Sequence, residues 1–464
     1  MGDRSVTRNC GPDLARVGAG LPVAAYRDEI TTALHGGRAV IVAPPGTGKT
    51  TFVPPLVASR CSGRVIVTQP RRVAARAAAR RLAALTGTRP GEFASHTVHG
   101  ESTTTRDTKV EFVTTGVLLR RLLSDPDLTG VDAVVLDEVH ERHLDADLVV
   151  AMVCEVAQLR DDLTIVAMSA TVDSSGWAAF LGGVEPAPVV EVASALHELE
   201  VEWAPAAGAA VESRGVSREF LGHLGTVTVD ALDRHTEGSA LVFVPGAREV
   251  DHVVADLRSR LAGIDVVGLS GAMSAREQDH ALSDPGNVRR VIVSTAVAES
   301  SLTVPGVRLV VDSGLSREPR LDRGRGMAGL VTVRESRASA VQRAGRAARL
   351  GPGVAVRCLR AQDWAGMNAD PTPEVDHADL VASLLSLAVW GSPRGEGMAL
   401  PTPLPQDRVA AAEEELRDLG AVDAEGRITV RGRHLATFPL DPRLARALPV
   451  GAACRGARRG AGRA

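Results

Sequence analysis

The sequence predicts an α/β protein with two lobes, each built on a parallel sheet, followed by a small third domain. Apolar strand-like runs alternate with helical stretches from about residue 38 to 190 and again from about 238 to 360, the pattern of parallel strands joined by helices. Residues 366–437 read as an α+β unit ending in two strands within "GRITVRGRHLA". The predicted divisions are a tail at 1–20, lobes at 21–195 and 196–365, the third domain at 366–437 and a further segment at 438–464.

Composition narrows the class of protein. A chain of 464 residues with 44% apolar and 23% charged residues has the balance of a multidomain globular protein. We find no apolar stretch of the roughly 20 residues that span a bilayer, and the five cysteines are scattered. We therefore expect a cytoplasmic protein without a membrane partner. The net charge of −3 means that any nucleic-acid binding must come from local arginine clusters.

A phosphate-binding loop follows the first strand. Residues 39–42 are an apolar run, and "APPGTGKTT" comes directly after them. Glycines let backbone N–H groups close around phosphate oxygens, and a lysine reaches the outer phosphates. Only Lys49 and Lys109 among the 53 basic residues are lysines. Because the chain otherwise uses arginine for positive charge, a lysine in this loop indicates a specific chemical role. Ala43 stands where the strict pattern has glycine, and the alternative is an ordinary glycine-rich turn. The predicted ATP contacts are Pro45, Gly46, Thr47, Gly48, Lys49, Thr50 and Thr51.

Two adjacent carboxylates end a second apolar run in "VVLDEVH". A phosphate-loop fold needs such an acidic strand end to hold magnesium and to polarise the attacking water. Asp137 is predicted to hold Mg²⁺ together with Thr50, and Glu138 is predicted to be the base. His140 either senses the neighbouring domain or is a structural histidine.

Seven further stretches share their order and spacing with one known family. They are "TQPRRVAARAAARRLA" (68–83), "EFVTTGVLLRRLL" (111–123), "MSAT" (168–171), "ALVFVPGAREV" (240–250), "VIVSTAVAESSLTVPGVRLVVDSGLSR" (291–317), "QRAGRAAR" (342–349) and the stretch 415–448. Together with "DEVH" and the phosphate loop, the chain resembles the DEAH/DExH group of superfamily 2 RNA helicases. The "APPG" loop and the "LPVAA" lead-in resemble the bacterial HrpB type. The resemblance covers about residues 20–450. It implies two RecA-like lobes, a winged-helix-like domain and the start of a ratchet-like domain.

The resemblance also assigns roles to single residues. In "QRAGRAAR" it implies that Gln342, Arg346 and Arg349 act on the γ-phosphate when the lobes close, whereas the alternative is an arginine-rich surface helix. It implies that His140, Ser169 and Thr171 couple the two lobes. Three departures from the family pattern are Ala296 for Asn, Ala348 for Gly and Val139 for Ala.

Nucleic acid is expected to cross both lobes. By resemblance, the residues that touch the sugar-phosphate backbone are Arg71, Arg72, Thr115, Gly246 and Thr295. Such contacts position a strand without reading its sequence, so RNA and DNA both stay open. The stretch 316–333 carries four arginines around a Gly-rich turn and resembles a strand-separating hairpin. An exposed basic loop is the alternative.

These features predict a monomeric, ATP- and Mg²⁺-dependent helicase or translocase that acts on single strands. The rival interpretation is an ATP-gated RNA clamp without processive unwinding. It arises because the chain turns into "PVGAACRGARRGAGRA" after "PLDPRLARAL", where family members continue with a helical ratchet domain. We expect this tail to be either a truncation or a basic RNA-binding segment.

Overall fold

The computed structural model describes residues 12–170, 174–193, 197–213, 215–286, 288–299, 304–322 and 327–447. Two parallel sheets and a third, helical domain make up this part of the chain. Among the described residues there is no helix of the length and apolarity that a membrane crossing requires.

The first lobe is an eight-stranded sheet, parallel throughout except for one antiparallel pair at its edge. Its strands β1 to β8 are Arg38–Val42, Arg64–Gln69, Ala94–Val98, Glu101–Ser102, Val110–Thr114, Val131–Leu136, Thr164–Ser169 and Val189–Glu191. Their order is β4-β3-β5-β2-β6-β7-β1-β8. Because β2, β6, β7 and β1 are parallel neighbours, their carboxyl ends meet at one edge, where ligands bind in open α/β sheets.

Helices cover both faces of this sheet. They are α1 Leu14–Gly18, α2 Arg27–Ala33, α3 Lys49–Ala58, α4 Arg72–Thr86, α5 Thr115–Ser124, α6 Leu144–Leu159 and α7 Ser174–Gly182. Short 3-10 turns lie at Pro22–Tyr26, Leu34–Gly36 and Val139–Glu141. The sequence of helix α4 explains both its packing and its end. It buries an apolar face that includes Val73, Ala79 and Leu82, and its C-cap residue, Gly87, has the left-handed conformation.

The second lobe is a six-stranded parallel sheet with two hairpins beside it. Strands β9 to β18 are Leu199–Trp203, Val211–Glu212, Gly215–Val216, Ser239–Phe243, Asp265–Leu269, Arg290–Ser294, Val307–Asp312, Leu315–Asp322, Met327–Arg334 and Gly353–Arg357. The sheet order is β13-β14-β12-β15-β18-β9, and β10-β11 and β16-β17 form the hairpins. The helices are α8 Arg218–Arg234, α9 Ala247–Arg260, α10 Ala275–Leu282, α11 Arg337–Ala344 and α12 Ala361–Ala365, with a 3-10 turn at Ala296–Ala298.

The third domain consists of α13 Val381–Trp390, α14 Gln406–Asp418 and α15 Val430–Ala436, with 3-10 turns at Glu374–Asp376 and Pro393–Gly395. The predicted two-strand end is wrong. A single antiparallel bridge joins Val422 to Ile428, and a helix follows. The apolar-polar alternation covers just residues 428–430, and Thr429 is a strong helix start. Its Oγ1 accepts a hydrogen bond from the Gly432 N–H at 2.9 Å.

The third domain shares its apolar core with the first lobe. Buried residues of α5 and α6, such as Leu118 and Leu148, belong to the same cluster as Leu384 of α13. The indole N–H of Trp390 also donates to Glu155 Oε2 at 2.6 Å. The second sheet has separate clusters on its two faces. The third domain is therefore packed as an extension of the first lobe.

The two lobes touch each other through α4 and α10. Val73 and Ala74 of α4 pack against Leu282, and the side chain of Arg80 pairs with Asp279 at the surface. This contact brings the carboxyl edges of the two sheets towards one cleft.

Candidate functional site

The loop after β1 has the backbone of a phosphate cradle. Gly46 and Gly48 have φ angles of 91° and 88°, in the left-handed region that favours glycine. A Cβ on Gly48 would lie 2.8 Å from Leu21, so packing also requires glycine there. The helix α3 begins at Lys49, which directs backbone N–H groups and the positive helix end at the loop. The other predicted nucleotide contacts, Pro45, Thr47, Thr50 and Thr51, lie in this loop and the first turn of α3.

Asp137 follows the end of β6 and faces the loop. Its Oδ2 accepts hydrogen bonds from Thr50 Oγ1 at 2.6 Å and from Gln69 Nε2 at 2.7 Å. Burial and the adjacent charge of Glu138 raise the pKa of Asp137 to about 7, against the opposing charge of Lys49. The predicted magnesium pair, Thr50 and Asp137, therefore does lie together beside the loop.

Glu138 is held in an unusual backbone conformation. Its φ and ψ are 57° and 37°, which costs a residue with a Cβ about 1–3 kcal/mol. Its Oε2 lies 3.3 Å from Lys49 Nζ, and both side chains are buried. The turn therefore brings the Glu138 carboxylate to the lysine at the end of the phosphate loop.

His140 links the first lobe to the second. Its Nδ1 accepts a hydrogen bond from the Ala170 N–H at 3.2 Å, so the ring is neutral. Its Nε2 lies 3.0 Å from the side-chain amide of Gln342. Burial lowers the pKa of His140 although the charge of Glu138 opposes that shift. Ser169 is buried at the end of β7, one residue before this contact. Thr171 lies outside the described residues.

The second lobe brings two arginines to the same cleft. A Cβ on Gly46 would lie 3.3 Å from Arg349 Nε, so Arg349 lies against the phosphate loop. Arg346 donates from Nε to the Glu299 carbonyl at 3.0 Å. Burial lowers the pKa of both guanidinium groups, in the case of Arg349 to about 10. Buried positive charges of this kind gain most from an anionic partner.

Known families match three parts of the chain. Residues 26–177 match "DEAD/DEAH box helicase", residues 224–351 match "Helicase conserved C-terminal domain", and residues 412–440 match "Helicase associated domain (HA2), winged-helix". The chain belongs to the DEAD/DEAH box helicases.

Individual relatives match most of the chain. The chain is 38% identical to the Escherichia coli protein named ATP-dependent RNA helicase HrpB, over 92% of this chain and 52% of that one. It is 28% identical to ATP-dependent RNA helicase HrpA of Borreliella burgdorferi, over 92% and 52% of the two chains. The crystal structure of the Escherichia coli DEAH/RHA helicase HrpB superimposes with a TM-score of 0.84 at 36% identity, over 92% of this chain and 54% of that chain. The chain therefore spans about half the length of these relatives.

One arginine of the helicase motif was missed by the sequence reasoning. Arg343 is fully buried and donates to Glu299 Oε2 at 2.9 Å and to Asp312 Oδ1 at 3.1 Å. Its side chain also pairs with Glu335 and lies 5.0 Å from the Phe243 ring centre. These contacts tie α11 to the sheet directly before the segment that carries Arg346 and Arg349. Arg343 lies directly after Gln342 and three residues before Arg346 in the same motif, and that position could have suggested a structural role.

The five residues predicted to contact nucleic acid differ in burial and in their partners. Arg71 Nη1 pairs with Glu141 Oε1 at 2.9 Å, while Arg72 is exposed at the start of α4. Thr115 is half-buried at the start of α5. Gly246 is buried, and a Cβ there would lie 2.6 Å from Arg317. Thr295 precedes the 3-10 turn at Ala296–Ala298. Of the hairpin arginines, Arg323 and Arg325 lie outside the described residues.

A cavity of about 1180 Å³ is lined by residues of both lobes and of the third domain. Its wall includes Pro45 and Arg71 of the first lobe, Arg317 and Gln342 of the second, and Glu374 of the third domain. The phosphate loop and one predicted nucleic-acid contact therefore line the same cavity.

The three departures from the family pattern are accommodated. Ala348 is fully buried and does not have a positive φ, so its backbone does not require glycine. Val139 is buried in the first lobe's core. Ala296 lines the cavity wall, where it presents a methyl group.

Proposed function

We propose that this helicase couples ATP hydrolysis to movement along single-stranded nucleic acid, RNA in particular, in the cytoplasm. One observation carries the proposal. Arg349 of the second lobe lies against Gly46 of the phosphate loop, while Gln342 reaches His140 of the first lobe. Since the groups for hydrolysis come from both lobes, hydrolysis depends on how the lobes are set against each other. A strand that contacts both lobes would then be moved as they open and close.

The residues beside the phosphate loop fit a magnesium ion. The hydroxyl of Thr50 and the carboxylate of Asp137 are oxygen donors 2.6 Å apart, and Mg²⁺ prefers such hard ligands together with substrate phosphates. When bound, Mg²⁺ would neutralise charge on the phosphate oxygens of ATP. Thr50 and Asp137 are the residues that would hold it.

Glu138 is the proposed general base. Its carboxylate is paired with Lys49 at 3.3 Å, and a triphosphate in the cradle would draw the lysine to its own oxygens. That exchange leaves the Glu138 carboxylate to orient water and accept its proton. Arg346 and Arg349 would stabilise the negative charge that develops on the transferred phosphoryl group. Gln342, held against His140, would complete the site from the second lobe.

The nucleic-acid track is proposed along the loops that follow the strands. Arg71, Arg72, Thr115, Gly246 and Thr295 would contact the sugar-phosphate backbone. Arginine side chains, hydroxyls and backbone N–H groups suit phosphate oxygens and carry no base information. RNA is favoured because the relatives at 38% and 28% identity are named RNA helicases.

The decisive experiment measures ATP hydrolysis with and without single-stranded RNA and DNA. We expect RNA to raise kcat, and Glu138→Gln to lower kcat by about 10²–10⁴-fold while ATP and RNA still bind. Wild-type turnover in that variant would remove Glu138 as the base. Displacement of a duplex with a single-stranded overhang is measured on the same preparation. ATP-dependent RNA binding without displacement would favour the clamp over the translocase.

A further inference from the structure

A carboxylate of the third domain caps a helix of the first lobe. The helix α6 begins at Leu144, and its N-cap residue His143 forms no capping bond of its own. The first N–H groups of a helix need acceptors. Glu374 Oε2 accepts a hydrogen bond from the Leu144 N–H at 2.9 Å and lies 3.3 Å from His143 Nδ1. The backbone N–H of Glu374 donates to the Arg142 carbonyl at 3.1 Å. One residue thus binds three consecutive residues of another domain.

The bound segment leads directly to Glu138. A single 3-10 turn, Val139–Glu141, connects Glu138 to Arg142, and both end residues are left-handed, with φ of 57° and 55°. Residues with a Cβ keep such a conformation only where the surroundings enforce it. The Lys49 contact holds one end of the turn at Glu138. Glu374 holds the other end, and the Arg142 side chain adds bonds to Asp147 and to Thr402 of the third domain.

We propose that Glu374 is a positioning residue for the base Glu138, so that the third domain sets the hydrolysis rate of the first lobe. This inference rests on the proposed function. Without the Glu374 carboxylate, the turn at 138–142 can relax towards ordinary backbone angles, which moves the Glu138 carboxylate. Nucleotide binding should be retained, because within the described part of the chain the hydrogen bonds from Glu374 to the first lobe go to residues 142–144 and not to the phosphate loop. The loss therefore falls on the chemical step.

The test uses the full chain with three substitutions. Glu374→Ala removes the acceptor, Glu374→Gln keeps an oxygen for the Leu144 N–H, and Glu396→Ala is the control. Glu396 lies in the same domain, 67% exposed and paired with Arg394. For Glu374→Ala we expect kcat to fall by about 10–100-fold, the scale of a displaced catalytic group, with KM for ATP unchanged. Glu374→Gln should restore most of kcat, and the control should match wild type.

Hydrogen exchange of residues 138–147 gives a readout independent of activity. Exchange should be faster in Glu374→Ala than in wild type or the control, while the thermal midpoint stays close to that of the control. Wild-type kcat and exchange in Glu374→Ala would overturn the inference. So would a loss of kcat that Glu374→Gln does not restore and that follows a lowered thermal midpoint. If the unsubstituted chain hydrolyses no ATP, the proposed function fails, and the exchange rates alone then support or overturn the positioning role.

Discussion

Arg346 and Arg349 lie three residues apart in one motif, yet their guanidinium groups have different surroundings. Arg349 lies against Gly46 of the phosphate loop, and burial lowers its pKa to about 10. Arg346 is bonded through Nε to the carbonyl of Glu299 in its own lobe. Two nitrogens of Arg346, Nε and Nη2, are thus committed to its own lobe, whereas Arg349 already lies against the phosphate loop.

Replacing these arginines should therefore have unequal effects. We expect Arg349→Ala to lower kcat strongly, as loss of an arginine finger does by about 10³–10⁵-fold in GTPases, and Arg346→Ala to lower it less. Arg349→Lys should restore little, because an ammonium lacks the planar fork. Single-turnover hydrolysis at saturating ATP measures the chemical step directly. A collapse of ATP affinity with an intact chemical step would mean that Arg349 binds only the ground state.

For single residues, the sequence predicts those side chains of the site that belong to short motifs. Lys49, Thr50, Asp137 and Glu138 were each expected at the carboxyl ends of strands, and they do meet there. Glu374 was not expected, since it lies more than 200 residues from Leu144 and no local pattern links the two. Its contact arises from the packing of α13 against α5 and α6, which is a property of the folded chain.

Among the elements, the turn between Glu138 and α6 carries a charged histidine. His143 Nε2 lies 2.9 Å from Glu141 Oε2, on the side opposite Glu374. Partial burial opposes the charged ring, but hydrogen bonds to Glu141 and Glu374 outweigh it and raise the pKa of His143 to about 10. Glu141 is paired with Arg71 as well. A predicted nucleic-acid contact is thus joined to the segment that holds the proposed base.

Stability should depend on pH through this histidine. The folded chain holds the His143 proton more tightly than the unfolded chain, whose pKa is 6.5. The stabilisation is therefore complete below pH 6.5 and is lost as the pH rises through about 10. Urea unfolding of wild type and His143→Gln across this range should show a free-energy difference that shrinks with rising pH. The exposed His252→Gln is the control. A difference independent of pH would contradict the assigned charge.

The sequence predicts some secondary-structure elements correctly and one incorrectly. The parallel strands were predictable because each is a short apolar run bounded by turn residues. The stretch after Ile428 was predicted as strand and is helix, because three alternating residues cannot outweigh a threonine cap and the packing of Leu435 into the shared core. Short apolar runs leave strand and helix ambiguous until their partners are known.

In the whole molecule, the domains that share a hydrophobic core are not neighbours in the sequence. The third domain follows the second lobe in sequence, but its helix α13 packs on α5 and α6 of the first lobe. The second lobe keeps its own clusters around β12 and β15. The first lobe and the third domain should therefore open as one cooperative unit, and the second lobe as another.

Native-state hydrogen exchange can test this division with one substitution in each unit. Leu384 of α13 is 3% exposed in the shared core, and Leu384→Ala should cost about 2–5 kcal/mol. We expect amides of α6 to lose protection together with those of α13, although α6 lies more than 200 residues earlier in the chain. Amides of β12 to β15 should keep theirs. Val253→Ala, in the buried face of α9, should produce the reverse pattern. If Leu384→Ala lowers protection in the third domain alone, this domain opens by itself. Coupling between the third domain and Glu138 would then depend on the Glu374 contact and not on the shared core.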